Sequence, residues 1–304
     1  MNSYIRASET KQNEYQIMNQ IFRFFPALRV HSWGGFGSQL FTAYLVLKLQ
    51  SKFPNRRIKV VIHTSGVTRR VTEFNFRTLG VNVVQIEDYT ATEVQSSMHK
   101  TRLRYYSNLS KVTRGQLYQI LQWLRLVQSA NTDLSLNSIS LWTLSIRGHY
   151  TRLSLDESFV ESLYYSLFLN ESEFITQINT LVVHYRLGDL LNLNEKQPIN
   201  VERVEGVLNK LRAHSSHLVL VSDSKEEELA EFLKNSNLLK FSKSSNYDPK
   251  KTLRVCIDAE NFLGTTSKVS LWAAIFRQFL FEKVSFLPQE LKWAERAGLN
   301  SNWY

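Results

Sequence analysis

The sequence predicts an α/β protein built from two units, each a parallel sheet with crossover helices. Three observations carry this. Strand-like apolar runs alternate with helix-period runs from Ala27 to Asp88, and again from Asn179 to Phe281. Helical text around residues 150–175 separates the two series. A length of 304 residues accommodates two domains of ordinary size, each with its own core.

The elements follow in order. ALRVHSW reads as a strand, and GGFGSQL follows at once. LFTAYLVLKLQSKF carries apolar residues at helical spacing and stops at Pro54. IKVVIHT is a second strand, entered through the basic turn Asn55-Arg56-Arg57. FNFRTLG is a short helix, and VNVVQIED a third strand. Arg114 to Ser129 reads as an amphipathic helix with Leu117, Ile120, Leu121, Leu124 and Val127 on one face. Trp123, Arg114 and Arg125 give it basic and aromatic character, so a core-packed helix and a membrane-surface helix both fit.

TLVVHYRL opens the second series as a strand. Val201 to Ala213 is a helix, HLVLVSDS a strand, and EEELAEFLKNS a helix with its acidic residues where the dipole favours them. Thr252 to Asp258 reads as a further strand, and KVSLWAAIFRQFLF as a helix opening after Thr265-Thr266-Ser267. The division this suggests is 1–165 and 166–304, with a polar leader over 1–19. Two such halves facing each other across a cleft would present ligands to the carboxyl ends of the strands.

Composition narrows the classes. Lys plus Arg is 37 against 27 Asp plus Glu, a formal charge of +10. Such a surface favours polyanions: nucleic acid, anionic lipid headgroups or phosphorylated small molecules; the same charge also serves plain solubility. An apolar fraction of 43% excludes a disordered chain, and a single cysteine excludes an internal disulfide. The leader carries no apolar core, and no run of about 18 apolar residues occurs, so neither a signal peptide nor a transmembrane helix is expected. The expected location is cytoplasmic, or peripheral on the inner face of the cytoplasmic membrane.

Four features could carry chemistry. Gly34-Gly35-Phe36-Gly37-Ser38-Gln39-Leu40 lies between a strand and a helix. Its glycines permit a sharp turn and close approach to a ligand at a helix N-terminus. It is neither G-x-G-x-x-G nor a P-loop, so an anion or sugar loop and a plain tight turn both fit. His184-Tyr185-Arg186-Leu187-Gly188-Asp189 ends an apolar strand. There Arg186 offers a planar fork to diphosphate oxygens, or forms a structural pair with Asp189. Val221-Ser222-Asp223-Ser224 ends another strand with groups that suit a ribose, a base or a helix cap. Gly264 to Ser270, with Thr265, Thr266 and Ser267, is a hydroxyl-rich entry to a helix, fit for a phosphate or a cap. A further basic loop, Gly66 to Arg70, suggests acceptor or diphosphate contacts by Arg69 or Arg70. No C-x-x-C, H-E-x-x-H or D-x-D occurs, His63, His149, His214 and His217 are scattered, and Cys256 has no activating neighbour, so no metal, cofactor or thiol nucleophile is expected.

Taken together the four features resemble the α-1,2-fucosyltransferase family, glycosyltransferase family 11. WGGFGSQLF resembles its Gly-Gly-x-Gly-Asn-Gln-Leu-Phe motif, and HYRLGD its His-x-Arg-Arg-Gly-Asp. LVLVSDS resembles its strand ending in Phe-Ser-Asp, and TTSKVSLWAAIF its Asn-Ser-Ser-Phe-Ser-Trp-Trp-Gly-Ala-Trp segment. The order and spacing match from about Val30 to Phe276. Ser38 stands for Asn, Leu187 for the second Arg, Thr266 for Asn, Leu271 for Trp and Ala273 for Gly. Leu187 and Thr266 fall where the donor should bind, which leaves a different nucleotide sugar open.

The resemblance implies a GT-B fold of two Rossmann-like domains with the nucleotide in the second. It implies inverting, metal-independent transfer from GDP-fucose to a sugar hydroxyl. Arg186 would neutralise the departing diphosphate, and His184 and Asp189 would shape its loop. Ser222, Asp223, Thr266, Ser267 and Ser270 would line the nucleotide pocket, with Gly35, Gly37 and Gln39 facing the cleft from the first domain. The acceptor would be a glycan or lipid-linked glycan in surface-polysaccharide synthesis, with an anionic membrane surface as a further partner. Two other classes compete. Arg102-Leu103-Arg104-Tyr105-Tyr106 and the net charge suit a nucleic-acid binder, though no nucleic-acid motif supports it. The altered positions Leu187 and Leu271 suit a sugar-binding module without activity.

Overall fold

The computed structural model describes residues 25–63, 73–86, 119–169, 177–187, 190, 198–211, 215–244 and 248–304. The leader, Arg69 and Arg70, Arg102 to Tyr106, residues 114–118 of the amphipathic run, Gly188, Asp189 and His214 lie outside these residues. The chain divides into two compact units: 1–34 with 41–150, and 35–40 with 151–304.

In the first unit β1 (Leu28–Trp33) is followed by α1 (Phe36–Lys52) and β2 (Ile58–His63). Leu40, Phe41, Tyr44, Leu45, Val46 and Leu49 bury α1 on most of its circumference, and Pro54 stops its continuation. A 3-10 turn, Phe76–Leu79, closes on Gly80 at φ 69°, the left-handed conformation a glycine adopts without strain. It leads into β3 (Asn82–Ile86). Then come β4 (Val127–Ser129), the one-turn helix α2 (Asp133–Asn137) and β5 (Ser145–Arg147). All described pairings are parallel, in the order β3-β2-β1-β5-β4.

The amphipathic run differs from its sequence reading. Residues 119–123 are helical, but Val127–Ser129 is strand β4, paired in register with Ser145–Arg147. Arg125 takes φ 56°, so the chain reverses before it can extend the helix. Ile120, Trp123 and Leu124 are exposed rather than packed in a core. The short strands β4 and β5 carry too few residues for a period to show in sequence.

The second unit holds α3 (Glu157–Phe168), β6 (Gln177–Tyr185), α4 (Val201–Leu211), β7 (His217–Ser222) and α5 (Glu226–Phe232). After these come β8 (Ser242–Ser244), α6 (Pro249–Asp258), β9 (Ala259–Gly264), α7 (Lys268–Phe281), β10 (Phe286–Leu287) and β11 (Asn302–Trp303). Its sheet is also parallel, in the order β11-β10-β9-β6-β7-β8. The boundary drawn at 165/166 falls inside α3. That helix packs within the second unit, with the Tyr164 ring 5.6 Å from both Phe276 and Phe281 of α7 and its hydroxyl accepting from Arg254 of α6 at 3.1 Å.

Thr252–Asp258, expected as a strand, is the body of helix α6. Asp248 caps it, Pro249 occupies its first turn, and Thr252, Leu253, Cys256 and Ile257 are buried at helical spacing. The strand is instead the next segment, β9, whose polar start Ala259-Glu260-Asn261 hides it from a pattern search. A fully buried Arg277 on α7 fixes this corner. Its guanidinium donates to the carbonyls of Ile257, Ala259, Glu260 and Val284 and to Ser285 Oγ. No helix among the described residues is long and apolar enough to cross a membrane.

Candidate functional site

Three parallel strands of the second unit, β7, β6 and β9, end together. Tyr185 pairs with Ser222, and His184 with Gly264, so the segments after them emerge at one edge. The sequence had marked these three segments separately, and hydrogen bonds now join them. Thr265 is the joint. Its hydroxyl donates to the His184 carbonyl at 3.0 Å and accepts from the Arg186 N–H at 2.9 Å, while its own N–H donates to the same carbonyl. Asp223 Oδ1 accepts the Leu187 N–H at 2.8 Å. Ser222 and Ser224 hydroxyls lie 3.0 Å apart, and Ser222 Oγ accepts the Ser224 N–H.

His184 is buried with its Nδ1 2.7 Å from the Ser270 hydroxyl. Burial drives its pKa well below the ordinary 6.5; Asp223 opposes the shift and Arg186 adds to it. The ring is therefore neutral at pH 7 and serves as a brace under the loop. The close fit is set by Gly264, where a Cβ would stand 2.6 Å from Ser270 Cβ. Tyr304 Oη adds a donor to the Gly264 carbonyl at 2.8 Å.

Ser267 caps α7 by accepting the Val269 N–H at 3.1 Å. This helix start also receives the Gly-rich loop. Trp272 Nε1 donates to the Gly37 carbonyl at 3.1 Å, and Lys268 Nζ donates to Ser38 Oγ at 2.9 Å. At Gly37 a Cβ would meet Lys268 Cβ at 2.7 Å, Lys268 C at 2.8 Å and Val269 N at 2.9 Å, so only glycine permits this approach. The Gly35 carbonyl accepts the N–H groups of Ser38 and Gln39 in the first turn of α1.

The positions of the expected site residues differ in kind. Arg186 and Thr266 are half-buried and Asp223 is exposed, so these three are open to a ligand. His184, Ser222, Ser267 and Ser270 are buried and form the frame beneath. Gly37 and Gln39 are also buried, and residues 35–40 group with the second unit. The reading of Leu187 is corrected. Its side chain is fully buried in the core cluster with Leu181, Val183, Leu220 and Leu263, so the residue there packs in the core and does not face a ligand. Asp189, Arg69 and Arg70 lie outside the described residues.

Thr265 and Lys268 lay inside the hydroxyl-rich feature but were given no role of their own, and Trp272 and Tyr304 were absent from the expected set. A hydroxyl run before a helix hinted at Thr265; nothing in the text marks Tyr304. The edge can therefore offer an anion the Arg186 guanidinium and the N-terminal end of a 14-residue helix. A cavity of about 640 Å³ between α4 and α5 is lined by Glu202 and Glu205 together with Lys234, away from this edge's own residues.

No protein-family model matches the chain, and no curated protein is similar to it at a significant level. Among solved structures it is similar to a glycosyl transferase family 9 protein from Veillonella parvula, at 10% identity and a TM-score of 0.45, covering 86% of this chain and 80% of that one. It is also similar to the E. coli heptosyltransferase WaaC with ADP, at 11% identity and 0.42, covering 86% and 87%. A third is NodZ α-1,6-fucosyltransferase soaked with GDP-fucose, at 11% and 0.42, covering 82% and 92%. What the chain's own residues define is a protein of two parallel α/β units with a polar, hydrogen-bonded candidate site at the carboxyl edge of the second sheet.

Proposed function

We propose that the chain is an inverting, metal-independent glycosyltransferase with a GT-B architecture. In this reading it moves a sugar, fucose from GDP-fucose, onto a hydroxyl of a glycan or lipid-linked glycan during bacterial-type surface-polysaccharide synthesis. One observation carries it. The three second-unit segments that resemble family 11 motifs, together with the Gly-rich loop, meet at a single edge and are tied by Thr265, Trp272 and Lys268.

The chemistry follows from that edge. A general base takes the proton of the acceptor hydroxyl as its oxygen forms a bond to the sugar's anomeric carbon from one face, while the bond to the diphosphate oxygen breaks on the other. Negative charge grows on the departing diphosphate. Arg186, whose backbone Thr265 holds, and the α7 N-terminus meet that charge with a guanidinium and with helix N–H dipoles already oriented before the reaction begins. Asp223 and Thr266 would contact the nucleoside. Thr266, standing where the family has Asn, favours testing other nucleotides beside GDP.

The test is a thermal-shift series with GDP, UDP, ADP and CMP sugars, followed by a transfer assay with and without EDTA. The expected result is stabilisation by one nucleotide class by mass action, and transfer insensitive to chelation. Absence of a shift with every nucleotide would sink the transferase reading.

A further inference from the structure

The first unit's sheet has an amino-terminal edge that the transferase reading does not use. Strands β2, β4 and β5 begin there, and the segments leading into them are joined. Arg56, buried, donates to the carbonyls of Ser140 and Thr143. Thr143 Oγ1 donates to the Arg125 carbonyl at 3.0 Å, and the Leu144 N–H to the Leu126 carbonyl at 2.8 Å. Lys52 Nζ reaches the Leu136 carbonyl at 2.9 Å, and the Trp142 ring meets Phe25 edge-on at 5.1 Å. These links make one surface of residues 52–59, 119–126 and 137–144.

The composition of that surface is one-sided. The three stretches hold Lys52, Arg56, Arg57, Lys59 and Arg125, and no Asp or Glu. Lys52, Arg57 and Arg125 are exposed. Beside them large apolar side chains stand in water: Trp123 is 81% exposed, Trp142 66%, Ile120 52% and Leu124 47%. A cavity of about 400 Å³ opens on the same edge, lined in part by Gln50, Arg57, Lys59 and Asn82.

We propose that this edge docks on an anionic phospholipid bilayer. Tryptophan is suited to the headgroup level, where one side of the ring is apolar and the other wet. Arginine and lysine around it gain from the negative surface potential, and the basic cavity fits a lipid phosphate. A nucleic acid would satisfy the charges but leave Ile120, Leu124 and the two indoles without an apolar environment. The inference does not depend on the sugar-transfer reading, since it uses no residue of the second unit.

Co-sedimentation of the full chain with vesicles tests it. Vesicles of phosphatidylcholine with about one-third phosphatidylglycerol are expected to bind at least about tenfold tighter than phosphatidylcholine alone. Arg57→Gln with Arg125→Gln should cost about 25-fold on the anionic vesicles, at about fivefold per charge lost, and Arg57→Glu with Arg125→Glu more than that. Trp123→Ser with Trp142→Ser should weaken binding to the anionic vesicles at unchanged melting temperature. Should that double variant misfold, brominated acyl chains must quench the wild-type tryptophan fluorescence; no quenching would overturn the proposal. Equal binding to both vesicle types, or anionic binding unmoved by charge reversal, would also overturn it. Tight, salt-dependent binding to random duplex, lost on charge reversal without vesicle binding, would reassign the edge to nucleic acid.

Discussion

The carboxyl ends of the two sheets are built from different chemistry. In the second unit, β6, β7 and β9 end in hydroxyls, a guanidinium and a carboxylate, joined through Thr265 and Asp223. In the first unit, β1 and β2 end in rings. Trp33 lies on His63 at 4.4 Å with 9° between their planes, and His31 Nδ1 stands 2.7 Å from His63 Nε2. Strand ends of the same parallel topology thus carry either a hydrogen-bonded frame or an aromatic stack. A frame of fixed dipoles suits a charged ligand; a stack of aromatic rings offers surface but few fixed dipoles.

The largest effect that separates them should come from Arg186→Ala. Removing one preorganised charge-stabilising donor costs about 10²–10³ in kcat. Because Arg186 is half-buried and outside the core, the melting temperature should hardly move. A steady-state transfer assay with the donor found by thermal shift checks this. Transfer at the wild-type rate would remove the leaving-group role and with it the main contrast between the sheets.

Gly37→Ala comes next, read in stability. Helix propensity alone would favour alanine by about 1 kcal/mol in α1. The new Cβ, however, would stand 2.8 Å from the Lys268 carbonyl carbon and 2.9 Å from Val269 N, which are backbone atoms and cannot rotate away. Overlap of this kind costs about 1–3 kcal/mol, so the net effect is destabilising. Denaturant unfolding measures it. A stabilised variant would mean that the loop does not pack on α7 as described.

These two residues also show what the sequence could and could not tell. The glycine pattern and the strand-end Arg186 were legible, because backbone freedom and strand termini leave marks within a few residues. Most of both sheets was legible for the same reason: β1, α1, β2, β3, β6, α4, β7, α5 and α7 carry clear periods. What escaped depends on distant partners. The short strands β4, β5, β10 and β11 are defined by their neighbours, and α6 was mistaken for a strand because its buried positions interleave with Lys and Arg. Whether Leu187 faced a ligand or the core could not be read from a motif alignment; the burial decides it. Thr265 likewise looks like any hydroxyl until β6 and β9 stand side by side.

Acid should then act on both ends alike. His184 and His31 are both held neutral well below the ordinary histidine value of 6.5, by burial first. Asp223 opposes and Arg186 reinforces the shift at His184, and Arg147 is the next cause at His31. The unfolded chain takes up their protons as pH falls below 6.5, while the folded chain does not. Stability is therefore present above that pH and is lost below it, by up to about 1.4 kcal/mol per pH unit for each histidine. Melting temperature against pH should slope downward below 6.5, and His184→Asn should make the slope shallower. A flat profile would show that one or both rings bind a proton in the folded state.

The smallest expected effect belongs to Trp33→Phe, and its size sharpens the contrast. Among the described residues no acceptor serves Trp33 Nε1, so phenylalanine gives up no hydrogen bond and removes a buried polar group. The stack with His63 is reduced, at a cost of about 0.5–1.5 kcal/mol, while relief of the unserved N–H returns about as much. The net change should stay under about 1 kcal/mol. Ser270→Ala, by comparison, strips the buried His184 Nδ1 of its partner and should cost about 1–3 kcal/mol. Unfolding both variants under one set of conditions makes the comparison direct. If the ring substitution proved the costlier, the first unit's aromatic end, and not the hydroxyl frame of the second, would be the more tightly specified of the two.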